Sequence, residues 1–183
     1  MLCILTGCQY VFTDQQERPT VEIHTASYDM QRELLISLDR SLQKWTSFRV
    51  LNTGASQVLK VDILDISYED VGYLYDSTPQ TQQLEDRLFP NEGRIVVKAN
   101  VSLIDKLDQN RMIEHRQVVA SADYDFTNPN VLSQTSYQNV PLVEYSLGQF
   151  DAQYAANDIA KKIAINKLAE KIALILSAEC RKS

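Results

Sequence analysis

Arg94-Ile-Val-Val-Lys-Ala-Asn-Val-Ser-Leu103 decides the fold, together with its return strand His115-Arg-Gln-Val-Val-Ala-Ser-Ala-Asp-Tyr-Asp125. Ile95, Val97, Ala99, Val101 and Leu103 alternate with Val96, Lys98, Asn100 and Ser102. Alternation of period two is the mark of a strand with one face on a core. Asp105-Lys-Leu-Asp-Gln-Asn110 forms the turn. On the way back Val118, Ala120, Ala122 and Tyr124 share one face; His115, Gln117, Val119, Ser121 and Asp123 share the other. The pair reads as an antiparallel hairpin, one side dry and one side wet.

Working outward toward the N-terminus, Gln57 to Ser67 predicts a long strand, with Leu59, Val61 and Ile63 opposite Lys60 and Asp62. Tyr68 to Leu88 is acidic and polar and fits either a further twisted strand or a long loop. Phe48-Arg-Val-Leu51 predicts a short strand ended by Asn52-Thr-Gly54, and Thr20 to Tyr28 another. Between them Met30, Leu34, Leu38, Leu42 and Trp45 line one helical face, with Ser27 or Asp29 as cap. Trp45 is assigned to core packing. Toward the C-terminus the chain reads as loop to Gly148. A long helix is then expected from near Asp151 to about Cys180. Its stripe is Ala156, Ala160, Ala164, Leu168, Ile172 and Ile175, widened by Ile159 and Ile163. Asp151 near its start and Arg181 and Lys182 at its end suit the helix dipole. The fold class is α+β: a mixed β-sheet of four or more strands with two α-helices packed on one face, in a single domain from 19 to 183.

Composition narrows the function. The chain has 183 residues, 44% apolar and 23% charged, which suffices for one core. A net charge of -6 repels phosphate, so nucleic acid is not an expected partner. The longest apolar runs fall short of the roughly 20 residues a spanning helix needs. Cys3, Cys8 and Cys180 lack zinc-clip or CxxC spacing, and His24 and His115 form no HExxH pattern, so no metal is expected. No phosphate loop, dinucleotide fingerprint or nucleophile elbow occurs. Carboxylate pairs such as Asp123/Asp125 read as solvated surface. The chain reads as a non-enzyme.

Leu5-Thr6-Gly7-Cys8 resembles the lipobox of bacterial lipoproteins. Small residues let the segment lie flat in a peptidase cleft, and the Cys8 thiol can take a diacylglyceryl group. Residues 1–7 then read as a signal-peptide remnant, because a secretory signal carries a basic region and roughly 7–15 apolar residues. Residues 8–18 read as the lipidated N-terminus and a polar tether. The covalent lipid on Cys8 is the sole non-protein group expected, with no cofactor. The alternative is a cytosolic α/β domain that begins with a buried apolar strand.

Strand, helix, strands, hairpin and terminal helix behind such a lipobox resemble the LPS-assembly lipoprotein (LptE) family. The likeness rests also on Gly93-Arg-Ile-Val-Val-Lys-Ala-Asn-Val-Ser-Leu103 and on Ala120-Ser-Ala-Asp-Tyr-Asp-Phe126-Thr-Asn-Pro129-Asn-Val-Leu132, and covers roughly residues 19 to 178. It implies a lipoprotein anchored at the periplasmic face of the outer membrane. There it would plug and help assemble the β-barrel that inserts lipopolysaccharide into the outer leaflet. The expected partners are that barrel, the membrane through the anchor, and lipopolysaccharide itself. Gln134 stands where the family often has a basic residue, and the chain is acidic, which favours barrel contact over lipid contact. The candidate contact residues are Arg94, Lys98, Asn100, Ser102, Arg111, His115 and Gln117, with Ser121 beside them; the bland alternative is an ordinary solvated sheet face. The runner-up function is a periplasmic lipoprotein activating an envelope enzyme such as a peptidoglycan synthase.

Overall fold

Five strands form a mixed sheet: β1 (Thr20–Thr25), β2 (Arg49–Val50), β3 (Gln57–Ser77), β4 (Leu84–Asp105) and β5 (Arg111–Asp125). Their order is β2-β1-β3-β4-β5. The first strand in sequence is thus interior, parallel to both β2 and β3, while β3–β4 and β4–β5 are antiparallel hairpins. α1 (Gln31–Trp45) links β1 to β2, and α2 (Val143–Glu179) closes the chain. A two-stranded pair, β6 (Ser136–Tyr137) and β7 (Val140–Pro141), stands apart from the main sheet. The computed structural model describes residues 18–26, 30–77, 84–126, 136–137, 140–141 and 143–179. Cys8, the tether, the cap candidates Ser27 and Asp29, and Cys180 lie outside them.

The expected alternation of the hairpin holds. Ile95, Val97, Ala99, Val101 and Leu103 are buried, as are Val118, Ala120 and Ala122. Leu59 and Val61 continue these rows on β3, and Val21 on β1. Both helices cover this one face. α1 contributes Met30, Leu34, Leu38 and Leu42; α2 contributes Ala160, Ala164, Ile165, Leu168, Ala169, Ile172, Ala173 and Leu176. The four alanines let α2 lie close to the sheet and to α1, where Ser37 Oγ donates to Asn166 Oδ1.

A register shift between Ile63 and Asp65 leaves Leu64 as an extra residue, 51% exposed. One added residue reverses the alternation. Ile66 therefore takes the core side, and Asp65 comes to face outward opposite Lys98.

Of the two alternatives for Tyr68 to Leu88 the strand holds for the described residues: β3 and β4 continue as a two-stranded ribbon, Gly72 pairing Glu92 and Tyr75 pairing Leu88. Other expectations are corrected. α2 begins at Val143, not near Asp151, and runs through Gly148, where the sequence predicts a loop. An interior glycine costs a helix only about 1 kcal/mol, too little to stop one this long. Ile159 and Ile163 do not widen the buried stripe; they are 59% and 42% exposed, and Ile165, Ala169, Ala173 and Leu176 widen it from the other side. Trp45 is not in the core. It is the last residue of α1, the Lys44 ammonium sits 4.6 Å from its ring centre, and Phe48 is buried in its stead.

Candidate interaction face

The helices leave the other face of the sheet open, and the register assembles the candidate residues there. Arg94 pairs with Asp123, Lys98 with Val119, Asn100 with Gln117 and Ser102 with His115 across β4–β5. On the other side of β4, Glu69 lies opposite Arg94, Asp65 opposite Lys98, Asp62 opposite Asn100 and Lys60 opposite Ser102. Six of the seven sequence candidates therefore share one surface. Arg111 stands at its rim beside the turn, where Gln109 and Asn110 adopt positive φ. Asn tolerates that region better than most residues.

The basic residues Arg94 and Lys98 on this surface each face a carboxylate. Arg94 grips Asp123 with two hydrogen bonds, Nε to Oδ1 at 2.6 Å and Nη2 to Oδ2 at 3.0 Å. The bond from Arg94 holds the Asp123 carboxyl below the usual carboxylate range, and Asp123 in turn pushes the Arg94 guanidinium up. Lys98 Nζ lies 3.8 Å from Asp65, and Arg111 Nε 3.1 Å from Asp108. Ser102 Oγ and His115 Nδ1 are hydrogen-bonded at 2.9 Å. Lys106 and then His24 bond to Glu22 and keep its carboxyl below the usual range. A shallow cleft of about 410 Å³ at this end is lined by His24, Val58, Lys60, Ile104 and Asn110.

The carboxylates that neutralise the basic candidates were not singled out from sequence. Asp65 reaches Lys98 only because of the extra residue at Leu64, and Asp123 reaches Arg94 only in this register. The surface can exchange many hydrogen bonds yet offers no concentrated positive field. Among the described residues no group of three or more His, Cys, Asp or Glu is placed to hold a metal ion. No described helix is long and apolar enough to cross a membrane.

The fold recurs among bacterial lipoproteins of solved structure. A candidate lipoprotein of Caulobacter crescentus superposes with a TM-score of 0.53 at 15% identity, covering 88% of this chain and 90% of that one. A minor lipoprotein of Acinetobacter baumannii gives 0.51 at 13%, over 88% and 92%. Uncharacterized lipoprotein B of Nitrosomonas europaea gives 0.50 at 13%, over 87% and 83%. At such identities the likeness is one of fold. No protein-family model and no curated protein matches the chain.

Proposed function

We propose that this protein is an envelope lipoprotein, anchored through Cys8 in the outer membrane at its periplasmic face, whose body plugs and helps assemble the barrel that inserts lipopolysaccharide. The observation that carries the reading is the open face of β3–β5, rich in polar side chains, with its basic residues Arg94 and Lys98 each set against a carboxylate. A water-filled barrel lumen is polar inside. A face rich in polar groups, with its basic residues Arg94 and Lys98 already partnered, can meet it and trade hydrogen bonds directly or through water. The Leu5-Thr6-Gly7-Cys8 segment and the fold's recurrence among lipoproteins support the anchor. The chain is a non-enzymatic scaffold in this role. Direct lipopolysaccharide binding draws less support, because a phosphate would have to displace Asp123 from Arg94 and Asp65 from Lys98.

Affinity capture on the acylated protein tests the reading. It should recover a large outer-membrane barrel, and mass spectrometry should find Cys8 acylated at the N-terminus. Recovery of a peptidoglycan synthase without a barrel would point to the enzyme-activator role. Lys98→Glu, which sits off the core and faces Asp65, should reduce barrel recovery without unfolding the chain. Arg94→Glu and Arg111→Glu probe the rims in the same way. If all three recover the barrel at the wild-type level, the open face is not the contact.

A further inference from the structure

β5 is the edge of the sheet, with β4 on one side only. Phe126 N–H donates to Asn91 O at 2.9 Å, so even-numbered residues of this ladder turn their backbone toward β4 and odd-numbered ones turn theirs outward. Two carbonyls of that outward row are covered. Lys167 Nζ donates to Ser121 O at 3.1 Å and Lys171 Nζ to Val119 O at 2.8 Å, both reaching over from α2. Lysines placed along an edge strand are a known guard against further pairing. Toward the turn the guard stops. His115, Arg116 and Gln117 are exposed, and among the described residues no lysine bonds the outward backbone of His115 or Gln117.

We propose that this unsealed segment pairs with the same segment of a second copy, β5 against β5, on a two-fold axis through His115. The sequence Glu114-His115-Arg116 carries opposite charges on either side of that axis. In the antiparallel pair Glu114 meets the partner's Arg116, and Arg116 meets the partner's Glu114. Within one chain these two already lie 3.2 Å apart on one side of the strand, so the dimer joins two ion pairs into a ring of four charges. Registers that keep the outward residues facing each other step by two. One step either way sets Arg116 against the partner's Arg116, or Glu114 against the partner's Glu114, and directly opposed like charges destabilise a strand pair. The charges therefore select one register. The extra residue Ile113, where the β4–β5 register shifts, bounds the segment on one side, and Lys171 bounds it on the other. The association uses the strand's edge and leaves the open face of the sheet free, so it stands apart from the barrel reading.

Sedimentation equilibrium on the full chain tests it. The wild type should pass from monomer to dimer as concentration rises. Glu114→Arg and Arg116→Glu, each alone, set like charges opposite one another and should raise the dimer Kd by about tenfold or more. Mixed together, these two variants have complementary edges and should associate at least as tightly as wild type. The double variant Glu114→Arg/Arg116→Glu should regain self-association. Circular dichroism of each variant should match wild type. A wild type that stays monomeric, single variants that dimerise as well as wild type, or a mixture that does not associate would each overturn the proposal.

Discussion

Asp123 and Arg94 lie 29 positions apart in the chain and opposite one another in the sheet. Asp123 and Glu22 both have carboxyls held below the ordinary range, by Arg94 and by Lys106 with His24. A depressed carboxylate stabilises the fold at pH above its unfolded value, and that contribution disappears as pH falls through the depressed folded value. Stability should therefore decline across the acid side of the carboxylate range and not near neutrality. Urea unfolding followed from neutral to strongly acid pH should show a shallower acid decline for Asp123→Asn than for wild type. Equal slopes would mean that Arg94 stabilises the folded carboxylate no better than solvent does. Which residues carry the wet face was legible from alternation alone. Which of them neutralise one another was not, because opposed residues depend on register, and register here turns on the single extra residue Leu64.

At the scale of elements, the last helix is held by one stripe. Leu168 is fully buried, whereas Ile163 on the neighbouring stripe is 42% exposed. Leu168→Ala should cost on the order of 2–5 kcal/mol. Ile163→Ala should stay within about 0.5 kcal/mol. Chemical denaturation reads both; comparable losses would show that α2 is rotated from this setting. Gly93 is the second point of element contact. A Cβ there would come within 2.6 Å of Tyr124 Cζ, and Tyr124 OH in turn accepts from Asn157 Nδ2 of α2 at 3.0 Å. Gly93→Ala must push that ring off the strand, and should cost about 1–3 kcal/mol in the same measurement. The helices themselves were plain from their 3.6-residue spacing. Their margins were not. Isoleucines on either side of a stripe look alike in sequence, and only the place of the neighbouring helix decides which are covered. In the ribbon of β3 and β4 the sequence leaves strand and loop undecided for a related reason: Tyr73, Leu74 and Tyr75 are exposed there, so no buried face imposes an alternating pattern.

For the molecule as a whole, that ribbon is an appendage to the core. β5 ends its pairing at Asp125 with Glu92, and β1 pairs β3 only as far as Val61. From Gly72 outward the two strands have only each other in the sheet, for about 20 Å along β3. Replacing the segment between Val71 and Glu92 by a short turn should leave the melting temperature within a few degrees of wild type, as for any change of less than about 1 kcal/mol. A large drop in a calorimetric scan would show that the ribbon supports the core.

β1, the strand synthesised first, is seated between two strands made later, and the helix that roofs β4 and β5 is made last. A chain that emerges from its N-terminus therefore gives its leading strand only the two residues of β2 as a partner until β3 appears. α1 is at hand by then, but the apolar face of β4 and β5 stays bare until Ala160 to Leu176 arrives. Distant pairings of this kind close slowly, because the loop entropy must be met before the contacts repay it. The β4–β5 half of the sheet therefore stays uncommitted until the turns of α2 arrive to clasp it.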